Sequence, residues 1–147
     1  QTKLTPELLA RVSPQWPDTW WNYRRSLTAL TEVFIGDRRL PMARWPDEGY
    51  TNFGDIVVPG DAEGSSPTFK YTGDRAERWR SAVDDGLWLY GYWRRGYRAE
   101  FIKVTSLDVE TKTIELAAKN SLGALETGGA SRYCAMHVLA ERDSHGE

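Results

Sequence analysis

The sequence is poor in cysteine. Its 147 residues include a single one, Cys134, so no disulfide can form within the chain. Cys134 lies in the apolar segment RYCAMHVLA, where a buried and unreactive thiol is much more common than a nucleophile. We therefore predict that Cys134 is a core residue, and the lack of disulfides leaves the cellular compartment open.

Long apolar runs and an excess of one charge are also lacking. No segment approaches the roughly 20 apolar residues that a helix needs to cross a bilayer, so no membrane partner is predicted. The 19 basic and 21 acidic residues give a net charge of −2, which is no reason to expect a nucleic-acid partner. There is no basic-then-apolar leader, and the chain begins at Gln1 rather than Met, which suggests an excised piece of a longer chain or a processed product.

Complete catalytic and metal-binding signatures are missing as well. The adjacent carboxylates Asp47/Glu48 and Asp84/Asp85 lie in turn sequences, and neighbouring side chains of an extended chain point to opposite faces. Two histidines and one cysteine do not supply the locally spaced ligands of a zinc site, and no G-x-S-x-G elbow is present. We predict no catalytic residue, no metal ligand and no cofactor for this chain.

Apolar content is sufficient for one folded domain. Hydrophobic residues make up 40% of the chain and aromatic residues 12%, which argues against disorder. Residues 1–26 are predicted to form a short helix, at 5–12, and an irregular aromatic segment packed on the body. Residues 27–147 carry β signals and are predicted to form a β-rich, insertion-type domain, so that the whole chain is one domain.

The β-rich part alternates strand signals with turns. Strands or extended segments are predicted at residues 27–35, 40–45, 51–58, 69–72, 87–93, 99–107 and 113–117, with turns at 36–39 and 46–49, a polar loop at 59–67, a helical turn at 75–82 and a last apolar segment at 132–140. The first two segments are read as a hairpin, and Asp74 is predicted to cap the helical turn. The predicted fold class is mainly β, a compact antiparallel barrel or sandwich with one or two short helices.

The stretch at residues 87–97 is crowded with tryptophan, tyrosine, glycine and arginine. Alternation places Trp88, Tyr90 and Tyr92 on one face of a strand, and Leu87, Leu89 and Trp93 on the other. A strand that is apolar on both faces is usually central and buried. Candidate residues for contact with carbohydrate or with a neighbouring domain are therefore limited to the end of the stretch, namely Trp93, Arg94, Arg95, Tyr97 and Arg98.

Three blocks, in this order, carry a family resemblance: VFIGDRRLPMARWPDEGY at 33–50, WLYGYW at 88–93, and RYCAMHVLAERDSHGE at 132–147. Together they resemble a region of large bacterial proteins with a right-handed parallel β-helix, including family-141 glycoside hydrolases. In those proteins a mainly β domain of about this size is inserted into the β-helix. The resemblance implies a secreted parent protein whose hydrolytic carboxylates lie on the β-helix, and the end at Glu147 implies a domain cut from that parent.

Three functions follow as alternatives. The first is a non-catalytic insertion domain that packs on the parent β-helix and shapes one wall of the substrate cleft. The second is an autonomous carbohydrate-binding module, which needs an exposed tryptophan with a coplanar aromatic neighbour among Trp16, Trp20, Trp21, Trp88 and Trp93. The third is a small glycoside hydrolase, which needs two carboxylates separated by roughly 5 to 9.5 Å across a cleft. The implied partners are the β-helix domain and polysaccharide.

Overall fold

The computed structural model describes residues 34–35, 37–39, 43–96, 98–117, 123–126, 131–136 and 138–141. The predicted helix at 5–12, the aromatic segment that follows it, and Tyr97 lie outside these residues. Strands dominate the described part, which confirms the mainly β fold class. The strands are β1 (Phe34–Ile35), β2 (Arg38–Arg39), β3 (Arg44–Trp45), β4 (Thr51–Asn52), β5 (Ile56–Val58), β6 (Thr68–Lys70), β7 (Trp88–Tyr92), β8 (Glu100–Asp108), β9 (Thr113–Leu116) and β10 (Arg132–Met136).

Helical structure in the described residues is short. A 3-10 helix at Arg75–Trp79 leads into α1 (Ala82–Asp85), and a second 3-10 helix spans Leu139–Glu141. Gly86 ends α1 in the left-handed conformation, at φ 101°, as a glycine after a helix commonly does. Asp74 precedes the first 3-10 helix but makes no side-chain capping hydrogen bond, so its predicted role was wrong. Its carboxylate instead accepts a hydrogen bond from Lys112 Nζ at 2.6 Å.

The main sheet is antiparallel and runs in the order β3-β10-β7-β8-β9-β6-β5, with β4 also paired to β10. The long strand β8 belongs to both halves of this sheet. Its first residues, up to Lys103, pair with β7, and the part from Val104 to Asp108 pairs with β9. A register shift lies between Val104 and Ser106, at the start of the part that pairs with β9, and such a bulge bends a strand.

The bend lets the two halves pack face to face, as in a sandwich. Phe69 of β6 lies 5.3 Å from Tyr133 of β10 and 6.2 Å from Trp93, measured between ring centroids, so the halves meet through aromatic rings. The segment at residues 51–58 borders both halves, since β4 pairs with β10 and β5 with β6. This second link gives the sandwich a barrel-like closure.

Several predicted elements are confirmed. The hairpin of β8 and β9 buries Ile102, Val104, Ile114 and Leu116 and turns Lys103 outward, as alternation predicted. Strand β7 is central, between β10 and β8. Cys134 is buried, as predicted.

Two predicted strands differ in detail from the structure. Phe34–Ile35 pairs antiparallel with Arg38–Arg39, so the turn between them is tighter than the predicted four residues, and most of the two segments of the predicted hairpin lies outside the described residues. Arg44–Trp45 pairs with β10. The predicted strand at 51–58 is divided in two by Gly54, whose N–H donates to Lys70 O at 2.6 Å. β3 and β4 both pair with β10, a long-range contact that a local sequence pattern does not contain.

Candidate ligand-binding face

Trp93, the first of the predicted contact residues, points into the core. Its side chain is 1% exposed, and its indole Nε1 donates to Glu100 O at 2.9 Å. Tyr133 lies nearly parallel to it, at an interplanar angle of 15°. A coplanar neighbour therefore exists, but inside the protein, and Trp93 offers no stacking face to a ligand in this structure.

The predicted arginines follow β7, and two of the three form ion pairs with glutamates. Arg94 Nε lies 2.5 Å from a carboxylate oxygen of Glu126, and Arg98 Nε lies 3.0 Å from one of Glu100. Arg95 is exposed. These ion pairs hold the loop after β7 against the segments that carry their partners.

The opposite, outer face of β7 carries a second aromatic cluster. Phe101, Cys134 and Met136 are buried there, and Tyr50, Trp88 and Tyr90 pack on them half-buried. Tyr90 and Phe101, paired in register, have ring centroids 4.5 Å apart. The outer face therefore carries half-buried aromatic rings over a small cluster of buried apolar residues.

Tyr50 reaches this layer because of the turn that precedes it. Residues 46–49 form the predicted turn, with Gly49 at φ 71°, a conformation that glycine adopts without strain. Arg44 Nη2 donates to Gly49 O at 2.6 Å and closes the turn. The chain then re-enters the sheet so that the Tyr50 ring contacts Tyr92 edge-on at 5.5 Å.

Two arginines lie against these rings. The Arg132 guanidinium carbon is 4.3 Å from the Tyr92 ring centroid and 5.4 Å from that of Tyr50. Arg44 lies 6.0 Å from the Tyr50 ring, at the outer limit of a cation–π contact. We call the set Arg44, Tyr50, Tyr90, Tyr92 and Arg132 the ring face. It combines flat apolar surfaces with planar hydrogen-bond donors.

Titration of the ring face is governed by burial. Desolvation raises the pKa of Tyr50, the neighbouring Tyr90 and Tyr92 raise it further, and the Arg44 charge opposes the shift. Burial also raises the pKa of the Cys134 thiol beneath, with Arg44 again opposing. Both groups are therefore protonated near neutral pH, and arginine supplies the charge of the face.

The carboxylates named as candidates do not converge on this face as a catalytic pair. Asp47 and Glu48 are exposed in the turn, and Asp84 and Asp85 are exposed in α1. In the described residues no group of three or more histidine, cysteine or acidic side chains is arranged to hold a metal ion. The arrangement is suited to binding through stacking and hydrogen bonds.

Glu141 is the buried carboxylate of the described structure, with 1% of its surface exposed. It accepts a hydrogen bond from Trp79 Nε1 at 2.6 Å and a bidentate pair from Arg75, with Nε at 2.9 and 3.1 Å from its two oxygens. Both oxygens are thereby occupied. Glu141 fastens the second 3-10 helix to the first one, which is a structural role.

Sequence reasoning missed Tyr50 and Arg132. Tyr50 was assigned only to the vicinity of a turn, and Arg132 to the start of an apolar segment. The register that pairs Arg132 with Tyr92 brings them together. Alternation alone places Arg132 on the same face of β10 as Cys134, but it does not identify the neighbouring strand.

Comparisons with known proteins give no relative from which to transfer a function. No protein-family model, curated protein or solved structure matches this chain. Within the described ranges, the helices lack the length and apolar character that crossing a bilayer requires.

Proposed function

We propose that this chain is a non-catalytic accessory domain of a larger, secreted carbohydrate-active protein of the right-handed β-helix type, and that its ring face contacts polysaccharide. The observation that carries the proposal is the half-buried layer of Tyr50, Tyr90 and Tyr92 with Arg132 stacked on it. The three-block resemblance supplies the β-helix parent. In that parent the domain packs beside the β-helix, and the ring face forms one wall of the substrate cleft.

The chemistry of the ring face suits a sugar. Pyranose rings present C–H groups on their faces and hydroxyls around their edges, so they pair with aromatic faces bordered by donors. Tyrosine combines an apolar ring with a polar tip, and arginine adds donors in a fixed plane. The half-buried state of the tyrosines matters, because a fixed ring loses little side-chain entropy when a ligand binds.

A domain excised from a larger protein is expected to expose an apolar patch where it docks. Among the residues that the structure describes, Val57, at 51%, is the exposed large hydrophobic residue, so the described surface does not supply that patch. The autonomous binding module remains the second candidate; it needs an exposed tryptophan, and Trp88 lies half-buried on the same outer face.

Two measurements test this function. The coding sequence on either side of the chain is expected to encode β-helix coils, and a different flanking domain would contradict the insertion. The chain itself is expected to release no reducing sugar from any polysaccharide while it retards in affinity gels that contain one. Hydrolysis abolished by a single acidic-to-amide substitution would instead establish the small glycoside hydrolase.

A further inference from the structure

We propose that the aromatic segment at residues 15–25 docks on the outer face of the sheet, over the end of that face where Trp88 and Met136 lie. The occupant of this surface is thus a part of the same chain that lies outside the described residues. The sequence predicts that this segment packs on the body, and the strand order supplies the place. The inference does not depend on the proposed function.

The burial of the outer cluster points to a cover. Met136 is 4% exposed and Phe101 is 9% exposed, although both lie on the face turned away from the main core. Among the described residues, the partly buried side chains that pack on this cluster are those of Tyr50, Trp88 and Tyr90. Trp88 and Tyr90 belong to β7 of the same sheet, so they shield Met136 and Phe101 from the side. Burial this deep on an outer face calls for a layer above the sheet as well.

The chain enters the sheet beside this end of the face. Arg44 begins β3 and pairs with Met136, and Met136 pairs with Trp88 on the other side of β10, so the three residues form one row across the sheet. Residues 40–43 join β2 to β3, and four residues span at most about 14 Å. Because β1 pairs with β2, the chain before Phe34 approaches from the same neighbourhood. Residues 1–33 therefore reach the body next to this row.

The segment has the side chains that such a cover needs. It carries three of the seven tryptophans of the chain, Trp16, Trp20 and Trp21. Large apolar rings grouped on a surface are expected to be covered by contacts. The outer face offers suitable partners, since Trp88 and Tyr90 present half-buried rings there and ring pairs attract each other beyond the burial of area.

The proposed contact is confined to one end of the outer face. Tyr92 and Arg132 pair in register at the opposite end of β7 and β10 from Trp88 and Met136. The segment therefore does not need to reach Tyr92 and Arg132 in order to cover Trp88. Docking does remove Trp88 as a stacking residue for a sugar, which counts against the autonomous binding module.

Two side chains of the outer cluster serve as chemical probes in the full chain. Cys134 is the single cysteine and Met136 is one of two methionines, so peptide mass spectrometry assigns thiol labelling and peroxide oxidation to each site. We expect the triple variant Trp16→Ala, Trp20→Ala, Trp21→Ala to react at both sites at least about tenfold faster than the unchanged chain, because the cover is lost. Unchanged hydrogen exchange at residues 104–116 should show that the main core stays closed. Equal reaction rates in a folded triple variant would overturn the proposal.

The reciprocal change is made on the sheet. Trypsin cuts after Arg24 and Arg25, at the end of the segment, and a docked segment is cut only when it opens. Trp88→Ala should therefore raise the rate of this cleavage about three- to tenfold. Val57→Ala is the matched control, because Val57 is 51% exposed in β5, at the other end of the sheet order. The same acceleration in both variants, or in neither, would contradict the proposed place of docking.

Melting curves check that each variant is folded, and Trp88→Leu replaces Trp88→Ala if the latter is not. Labelling of Cys134 at several protein concentrations distinguishes the segment from a second copy of the chain as the cover. Protection by the same chain is independent of concentration, whereas protection by a second copy is lost on dilution. Protection that falls on dilution, with a dimer seen by sedimentation, would overturn the proposal. The affinity gels test polysaccharide binding separately, so failure of one proposal leaves the other standing.

Discussion

The two sides of strand β7 differ although both are rich in apolar residues. On the inner side, Leu89 and Trp93 are fully buried against the other half of the sheet. On the outer side, Tyr90 and Tyr92 are half-buried, and among the described residues Tyr50 and Arg132 lie against them. The inner side shows how a large ring is enclosed. The outer side shows how rings are held in place and still meet solvent.

The difference teaches that apolar character on both faces of a strand does not imply two equal cores. An aromatic residue with a polar tip satisfies a half-buried position, because the ring packs while the hydroxyl reaches water. Leu89 has no polar group, and the indole N–H of Trp93 donates to a backbone carbonyl inside the protein, so both side chains are suited to the core. The identity of the residues on each face, tyrosine outside and leucine inside, is therefore as informative as their spacing.

The largest effect is expected from truncating the inner side. Trp93→Ala removes a ring in contact with Phe53, Phe69 and Tyr133 and leaves a cavity, so we expect a loss of about 3–5 kcal/mol in the free energy of unfolding. Trp88→Ala, on the outer side of the same strand, is the matched control, with an expected loss of about 1–2 kcal/mol. Urea unfolding followed by circular dichroism measures both, and equal losses would refute the asymmetry.

A second comparison concerns ion pairs. Glu141→Gln removes the charge that Arg75 and Trp79 contact inside the protein, and we expect a loss of about 1.5–3 kcal/mol that salt changes little. Glu126→Gln is the control, because Glu126 is 47% exposed and its pair with Arg94 should contribute about 0.2–1 kcal/mol. Urea titrations at low and high salt measure both, and a larger loss for Glu126→Gln would contradict the assignment.

The third test concerns the backbone between the two sides. A Cβ at Gly91 would lie 2.7 Å from Arg132 O and 2.9 Å from Tyr133 Cβ, closer than real contacts allow. We expect Gly91→Ala to destabilise the protein by about 1–3 kcal/mol through this overpacking. Without the clash the same change would stabilise a strand by about 0.4–1 kcal/mol, since alanine restricts the unfolded chain. A lower thermal midpoint for Gly91→Ala would confirm the clash, and a higher one would contradict it.

Local patterns predicted much of the fold. Alternation identified the hairpin of β8 and β9 and the central position of β7, and the apolar segment around Cys134 identified that residue as buried, because each depends on residues close in sequence. Pairings such as β3 with β10 join residues about 90 apart in sequence, and no local signal encodes that register.

The residues predicted from the sequence and those of the ring face are different sets. The prediction followed the arginines at residues 94–98 and included Trp93, which the structure buries. The ring face instead depends on three segments that are distant in sequence, carrying Tyr50, Tyr92 and Arg132. These side chains lie close together because of the order of the strands in the sheet, which the sequence of any one segment does not reveal.

The smallest effect is expected on the outer side, from Tyr92→Phe. Tyr92 contributes its ring to Tyr50 and Arg132, and the substitution keeps that ring. We therefore expect a change of at most about 0.5 kcal/mol in the free energy of unfolding. Tyr92→Ala, which removes the ring, should cost about 1 kcal/mol, as a half-buried aromatic pair does. If Tyr92→Phe were as costly as Tyr92→Ala, the hydroxyl would be bonded within the fold, and the outer side would be a second core.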